Sequence, residues 1–407
     1  MQTYSFGLTP VLLLRNICLL LALMPATGEL HGQDSLRFSR NIRFLCGGEL
    51  AGRGYLYNGH ELAAHFIDQE FRRAGLRPAG GSFLQAFPVK QNVFPGRPAL
   101  ELNGRKLQPG RDFIPAPASP PLSGTFRIDS SAARAGGNAV LLREKQDFFT
   151  RLGDEAPALV LRLQDKLTHS LAAEQKGIPE IRLKASAFLP GDSLIQLKFQ
   201  AREKKVRAWN VAGMVRGTDE PDSFLVFCAH YDHLGSFGRN TWFPGANDNA
   251  SGVAMLLELA RYTAEHPLRY SVLFVAFSGE EAGLLGSRFM AENPPVPLAQ
   301  IRFLFNLDLL GFGEKGATVV NATLHPQEFS RLMQVNENCR CLPEIKARGK
   351  AANSDHFPFS EKGVPAFFMY LMGGPGHYHD VNDKPETLSL QGFRGTFRLL
   401  TDFMKGF

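Results

Sequence analysis

The chain has 407 residues, of which 44% are hydrophobic and 21% are charged, and its formal net charge at pH 7 is +6. These proportions are typical of a folded globular protein, and at roughly 150 residues per domain the length indicates two domains or one with a large insertion. The densest basic run, residues 202–207, is short and is most simply a solvated face. Composition therefore excludes a largely disordered chain, and it does not support nucleic-acid binding.

The N-terminal segment differs from the rest of the chain. Residues 11–24 form an apolar run that is interrupted only twice, and small residues follow at positions 26–28. A run this short does not reach the ~20 residues that a membrane-spanning helix needs. We therefore interpret residues 1–32 as a secretory signal peptide, with a retained membrane anchor as the alternative. The mature protein is expected to begin near Gln33, to be secreted or periplasmic, and to have no stable membrane insertion.

Cysteine usage leaves the disulfide pattern open. Cys46, Cys228, Cys339 and Cys341 remain after removal of the signal peptide. Export permits disulfides, but a Cys-x-Cys pair bridged to itself is strained, and Cys228 lies in an apolar run typical of a buried strand. No pairing is predicted, and none of the spacings indicates a zinc–thiolate site.

The first half of the chain predicts one helix followed by short strands. Apolar residues at three-and-four spacing predict an amphipathic helix from His60 to Gly75. Prolines and glycines become frequent over residues 93–124, which marks a boundary. Between residues 125 and 200 we expect short strands and one helical stretch near Thr168 to Lys176. Residues 93–206 are thus predicted to be an inserted, mostly β accessory domain. The predicted strands of this region are residues 139–142, 158–163 and 194–199.

Beyond Trp209 strands and helices alternate. Four near-continuous apolar runs are typical of parallel strands buried on both faces, and a helical stripe over residues 252–265 separates the first two. This order predicts an α/β fold with a doubly wound, mostly parallel sheet flanked by helices. The four runs are residues 224–229, 271–277, 303–307 and 364–370.

Acidic residues and histidines follow these predicted strands. Ligands of open α/β sheets bind beyond the carboxyl ends of the strands. Each residue alone has a structural explanation as a cap or a turn residue, but turns do not explain a complete set of ligand types at one edge. The set is His230 and Asp232 after the first run, Asp248 before the helical stripe, Glu280 and Glu281 after the second run, Asp308 after the third, and His379 beyond the fourth.

Zinc binds imidazole and carboxylate groups, and its catalytic sites keep one position open for water. Two Zn²⁺ ions carry +4, which three carboxylates and one bridging hydroxide neutralise. Glu280 is left over in this count, and a spare carboxylate beside such a site is suited to act as a general base.

Six stretches of the sequence resemble, in order, the motifs of the M28 peptidases, a family of co-catalytic zinc aminopeptidases. The resemblance is close over about residues 207–407 and extends to residues 37–90. Residues 93–205 occupy the place of the protease-associated insert of many members and match only loosely. The stretches are AHYDHLG (229–235), PGANDNASGVAMLLELAR (244–261), FSGEEAGLLGS (277–287), NLDLLG (306–311), SDHFPFSEKGVP (354–365) and YHDVND (378–383).

The resemblance implies a role for each residue of the set. Asp248 would bridge two zinc ions, His230 and Asp308 would complete one site, Glu281 and His379 would complete the other, Glu280 would be the general base, and Asp232 would orient a ligand.

Several neighbouring positions stay open. His233 and His377 flank ligand positions, and we interpret them as substrate-side or solvent-exposed residues. Either Tyr370 or Tyr378 is a candidate donor to the oxyanion. Asp380 stands where the family usually has threonine or serine, so the hydrogen bonding around His379 is not predicted.

We therefore expect a secreted di-zinc exopeptidase whose catalytic domain comprises residues 34–92 and 207–407. The expected reaction is hydrolysis of the N-terminal peptide bond of peptides through a metal-bridging hydroxide.

The alternatives are a zinc carboxypeptidase or a glutaminyl cyclase on the same scaffold, and a non-catalytic binding homologue. The retained GANDNASG segment argues against the cyclase, and the intact ligand set argues against the binding homologue. A carboxypeptidase needs a fixed cation for the terminal carboxylate, and the arginines at 239, 288 and 348 lie outside any motif with that role. Side-chain preference and oligomeric state are not predicted.

Overall fold

The computed structural model describes residues 35–129, 138–143 and 156–407. The predicted signal peptide, residues 1–32, lies outside them. Within these ranges, the helices are all too short or too polar to cross a membrane.

In the described chain, twelve strands follow α2 with no α-helix between them, and helices alternate with strands from α3 onward. The α-helices are α1 (Ser35–Leu45), α2 (Gly59–Arg73), α3 (Ser251–Glu265), α4 (Leu285–Glu292), α5 (Pro326–Cys339), α6 (His356–Ser360) and α7 (Phe393–Lys405). The strands of the first half are β1 (Arg77–Pro78), β2 (Leu84–Val93), β3 (Ala99–Leu102), β4 (Arg105–Leu107), β5 (Phe113–Pro115), β6 (Leu122–Asp129), β7 (Ala139–Arg143), β8 (Leu159–Gln164), β9 (Glu180–Lys184) and β10 (Leu194–Phe199). The strands of the second half are β11 (Arg202–Val215), β12 (Glu220–His230), β13 (Tyr270–Phe277), β14 (Ile301–Asp308), β15 (Ala317–Val320), β16 (Ile345–Ala347) and β17 (Ala366–Leu371).

The main sheet has the order β1-β11-β13-β12-β14-β17-β15-β16, with β2 paired to β11. Its central strands β13, β12, β14 and β17 run parallel, while β11 and β15 join them antiparallel on the two sides. The four predicted apolar runs coincide with these central strands. The predicted α/β fold is confirmed, and the parallel pairing is concentrated in the centre of the sheet.

Both faces of the central strands are buried, as continuous apolar runs require. Alternate residues of β13 belong to different cores: Phe274 packs with residues of α1, α2 and α3, and Val275 packs with Met290 of α4 and Phe359 of α6. Helices cover both faces of these strands, and open α/β sheets bind ligands beyond the carboxyl ends of their strands. We therefore expect the functional site at that end of the sheet.

A second sheet has the order β4-β3-β10-β6-β7-β8-β9-β5, so its strands all lie between Ala99 and Phe199. Its core includes Leu161 and Ile195 and also Phe237 and Phe243 from the loop after β12. The segment predicted to be β-rich thus forms a sheet of its own that shares a core with a loop of the main sheet.

The helical stretch predicted near residues 168–176 is wrong, because this segment is irregular. Its main chain bonds to distant segments instead of to its own turns. The N–H of His169 donates to the carbonyl of His379 (3.0 Å), and the carbonyl of Ala172 accepts from the N–H of Asn92 (2.7 Å). An α-helix needs its N–H groups for carbonyls four residues earlier, so these tertiary hydrogen bonds outweigh the local helical preference.

The four cysteines of the described residues divide into a pair and two buried thiols. Cys339 and Cys341 form a disulfide with each other. Cys46 and Cys228 are reduced and buried. Burial raises the pKa of Cys46 to about 12 and that of Cys228 well above its usual value, so both remain protonated.

Candidate metal centre

The parallel register brings the first candidate ligands to one level. Cys228 of β12 lies opposite Asn306 of β14, so His230 and Asp308, each two residues further on, leave adjacent strands together. His230 also lies opposite Phe277, the last residue of β13. Glu280 follows three residues later on the other side of His230.

Asp248 lies between two groups of these side chains. Its Oδ1 is 3.3 Å from His230 Nε2, which is in turn 3.5 Å from Asp308 Oδ1. Its Oδ2 is 3.0 Å from His379 Nε2, which is 3.3 Å from Glu281 Oε2. The structure therefore brings all five predicted ligands together, with one oxygen of Asp248 directed to each group.

The donor set fits divalent cations. Asp248 Oδ2 and Asp308 Oδ1 are buried and have no hydrogen-bond donor in suitable geometry, a state that is costly for a carboxylate unless a cation is present. His230, Asp248 and Asp308 direct ligand atoms into one small volume. Imidazole and carboxylate are the ligand types of catalytic zinc sites, so the residues present fit the ion.

The charged groups of this cluster shift one another's pKa values. Burial alone would lower the pKa of His379, but the charge of Glu281 and contacts with Asp248 raise it to about 11. Burial alone would raise the pKa of Asp248, but His230 and His379 hold it well below its usual value. The carboxylates therefore hold positive charge on the imidazoles in this structure, and a metal cation would take over that neutralisation.

His233 is an alternative candidate ligand in the group that contains His379 and Glu281. It is fully buried, and its Nδ1 lies 2.8 Å from Glu281 Oε1 and 4.0 Å from Asp248 Oδ1. His233, Asp248 and Glu281 also form a set with metal-binding spacing. The distances favour His379 as the candidate ligand, because its Nε2 lies within 3.3 Å of an oxygen of both carboxylates. The burial of His233 contradicts a solvent-exposed role, and its contact orients Glu281.

Asp232 connects His230 to the backbone of Glu280. His230 Nδ1 donates to the Asp232 carbonyl oxygen (3.1 Å), whereas the Asp232 carboxylate lies 3.8 Å from the same nitrogen. The carboxylate accepts from the N–H of Glu280 (3.2 Å) and from the hydroxyl of Tyr55 (3.0 Å). Asp232 thus orients His230 through its main chain and fixes Glu280 through its side chain. The role of Tyr55 has no sequence signal.

Arg53, which the sequence did not single out, ties together the segments around Asp248. It is fully buried, and its guanidinium donates to the carbonyls of Leu45 (2.9 Å), Tyr231 (2.7 Å), Pro244 (2.7 Å) and Gly245 (2.7 Å). The planar fork of arginine can reach several acceptors at once. Arg53 therefore joins the N-terminal segment, the end of β12 and the start of the Asp248 loop.

Asp383 holds the same loop from its other side. Its Oδ1 accepts from the N–H of Asn247 (2.8 Å) and its Oδ2 from the N–H of Asp248 (3.0 Å). Asp383 ends the YHDVND stretch, and an acidic residue four positions after His379 is the signal that could have found it.

We expect Arg53→Lys to lower the free energy of unfolding by about 3 kcal/mol, because lysine cannot satisfy the same carbonyls and leaves buried acceptors unpaired. Urea unfolding measures the change. Arg72→Lys is the matched control, since Arg72 forms an exposed pair with Asp68, and its expected change is below about 0.5 kcal/mol. Equal stability of the two variants would contradict this role for Arg53.

A cavity of about 160 Å³ opens onto the cluster. One side is formed by Glu280 and three of the metal-ligand candidates, His230, Asp248 and Asp308, and half of the residues on the other side are aromatic. Tyr378, which is 52% exposed, stacks on the ring of His379 at 3.8 Å. The second side is lined by Leu309, Arg348, Asn353, Phe368, Tyr370 and Tyr378. A larger cavity of about 580 Å³ includes none of the predicted site residues, so its size does not identify the chemical site.

Imidazoles and carboxylates thus gather around one shared aspartate at the carboxyl ends of the central strands, where open α/β sheets bind their ligands. Comparison with known proteins agrees. Residues 210–404 match the family model for peptidase family M28. The match spans all six stretches whose resemblance to the M28 motifs was noted in the sequence, and it supports that resemblance.

Known relatives extend the likeness. Aminopeptidase YwaD of Bacillus subtilis is 28% identical over 253 residues, which are 58% of this chain and 52% of that protein. A probable zinc metalloprotease of Pyrenophora teres f. teres is 36% identical over 108 residues, covering 26% of this chain and 23% of that protein. The alignments thus span about half or less of these curated relatives. The structure of a peptidase M28 precursor from Shewanella amazonensis superposes with a TM-score of 0.69 at 16% identity, covering 91% of this chain and 92% of that one.

Proposed function

We propose that this chain is an exported zinc aminopeptidase that holds two zinc ions and hydrolyses the N-terminal bond of peptides. The observation that carries the proposal is the position of Asp248, with one oxygen 3.3 Å from His230 and the other 3.0 Å from His379. The M28 match and the aminopeptidase and zinc metalloprotease among the relatives support it. The apolar run at residues 11–24 supports export.

His230 and Asp308 would hold one ion, Glu281 and His379 the other, and Asp248 both. Bound zinc supplies Lewis acidity toward a carbonyl oxygen and toward water. The protein supplies orientation: Asp232 and His233 fix the ligands on which the two ions depend.

Glu280 is the proposed general base. It lines the cavity beside His230, Asp248 and Asp308. Burial raises the pKa of Glu280 well above its usual value, and the charge of Glu281 adds to the rise. A carboxylate with a raised pKa can take a proton from the attacking water and pass it to the leaving amine near neutral pH. The hydrogen bond from its N–H to Asp232 fixes its position.

The acidic side of the cavity supports an aminopeptidase, because carboxylates can hold the α-amine of the substrate. One observation favours the carboxypeptidase as a second candidate. Arg348 lines the same cavity. Although it lies outside the sequence motifs, its side chain is therefore close enough to the candidate metal centre to bind the terminal carboxylate of a substrate.

Blocked peptides distinguish the two functions. We expect hydrolysis of aminoacyl amides and short peptides with free N-termini, with activity abolished by N-acetylation and unaffected by C-terminal amidation, because the amine is the recognised group. Steady-state rates on one tripeptide, its acetylated form and its amidated form test this. Cleavage of the acetylated form with a strict need for a free C-terminus, together with a raised KM in Arg348→Met, would establish the carboxypeptidase. Cyclisation of N-terminal glutamine without peptide cleavage would establish the cyclase.

A further inference from the structure

We propose that residues 166–169, which belong to the predicted insert, are part of the metal centre: Lys166 and the main chain of His169 position His379 for zinc. The proposal rests on the proposed function in treating His379 as a ligand. The proposed role of the insert is therefore to position a metal ligand.

The first contact fixes the ring of His379. Its Nδ1 lies 3.1 Å from the carbonyl oxygen of His169. A carbonyl only accepts hydrogen bonds, so Nδ1 must carry the hydrogen. In the neutral ring Nε2 then keeps its lone pair and faces Asp248 and Glu281. The insert therefore selects the tautomer that can bind a metal.

The second contact fixes the loop that carries the ring. Lys166 Nζ donates to the carbonyl oxygens of Gly376 (2.6 Å) and Tyr378 (2.8 Å). The N–H of His169 donates to the carbonyl of His379 itself (3.0 Å). The carbonyl oxygens of three loop residues, Gly376, Tyr378 and His379, are thus held by a span of four insert residues.

The loop needs such support. His379 has a φ of 59°, in the left-handed region that residues with a β-carbon avoid. Gly373, Gly374 and Gly376 before it also have positive φ values, and glycines leave an unfolded loop many alternative conformations. Contacts from outside the loop are therefore required to keep the imidazole in one place.

The supporting segment is itself held firmly. The ring of His169 is 3% exposed and stacks on Phe243 at 4.8 Å. The carbonyl of Thr168 accepts from Arg182 of β9 (2.7 Å). The segment is thus tied to the second sheet and to the core that both sheets share, which makes it a fixed reference for His379.

Asp380 supplies an independent observation. It stands where the M28 motif usually has threonine or serine, and its Oδ2 lies 3.8 Å from Lys166 Nζ and 3.6 Å from His377 Nδ1. The acidic residue on the loop and the cation on the insert are therefore complementary. The departure from the motif is thus one half of a contact between the insert and the loop that carries His379.

The test compares zinc retention in Lys166→Met, Lys166→Arg and the control Lys176→Met in the full chain. Lys176 is exposed in the same segment. Titration with a chelator should release one of the two ions about 10-fold to 100-fold more easily in Lys166→Met, the usual effect of losing a group that orients a ligand. The other ion should be retained as in the wild type. In Lys166→Met we expect kcat to fall as that ion is lost, while KM changes little. Lys166→Arg should restore most of the zinc affinity. Lys176→Met should match the wild type in zinc retention and kcat.

Two results would overturn the proposal while leaving the zinc aminopeptidase intact. One is wild-type retention of both ions in Lys166→Met. The other is equal weakening of both ions accompanied by a lower unfolding temperature, which would show a merely structural contribution. A wild-type chain that binds no zinc would instead overturn the proposed function, so the two failures are distinguishable.

Discussion

Asp248→Ala is expected to remove both zinc ions and to abolish peptide hydrolysis. Each oxygen of this carboxylate faces a different histidine, at 3.3 and 3.0 Å, so its loss takes a ligand from both groups at once. The change also removes one of three ligand carboxylates that neutralise the two ions. Zinc per chain after gel filtration, measured by atomic spectroscopy, should fall from about two to below about 0.5, the result expected when binding free energy from both sites is lost.

The matched control is Asp222→Ala, an exposed aspartate on β12, which should keep zinc and activity. Circular dichroism must show that Asp248→Ala is folded. A folded variant that keeps two ions, or one that keeps a single ion with full activity, would contradict the bridging role and would favour a one-metal, cyclase-like site.

Glu280→Gln is expected to lower kcat by at least ~10²-fold while zinc content stays at the wild-type level. Glutamine preserves the shape of the side chain and its N–H bond to Asp232, but its amide cannot accept the proton of the attacking water. Burial is the first cause of the raised pKa of Glu280, and a raised pKa is the direction that favours acceptance of a proton from water. Initial rates over a pH series, with metal analysis of the same samples, measure the effect.

Glu292→Gln, at the exposed end of α4, controls for the loss of a negative charge and should leave kcat unchanged. Wild-type turnover by a fully metallated Glu280→Gln would exclude Glu280 as the base. Loss of zinc in this variant would instead place Glu280 among the ligands.

The parallel core and the convergence of the candidate ligands could be predicted because they depend on local patterns. Apolar runs such as residues 271–277 are visible in sequence, and each is followed by polar residues at the edge where an α/β sheet binds ligands. Asp308 and His230 meet because their strands are neighbours in register. That adjacency follows from the fold once the order of strands is recognised.

The supporting contacts could not be predicted, because they join residues far apart in the chain. The guanidinium of Arg53 donates hydrogen bonds to carbonyls up to 195 positions away in the chain, and no motif in the sequence around Arg53 indicates this role. The sequence of residues 168–176 favours a helix, but hydrogen bonds to Asn92 and His379 decide its conformation. Arg348 lies outside the motifs and reaches the cavity because its loop returns to the site.

The hydrogen bonds between His169 and His379 cross 210 residues of chain. Contacts of such long sequence separation form late, since a large loop must close before they are gained. A molecule whose main sheet had formed while residues 166–169 were not yet in place would position four of the five candidate ligands and would leave His379 without its contacts to His169. On the proposed function, zinc retention would therefore report that both sheets and the loop carrying His379 have been assembled.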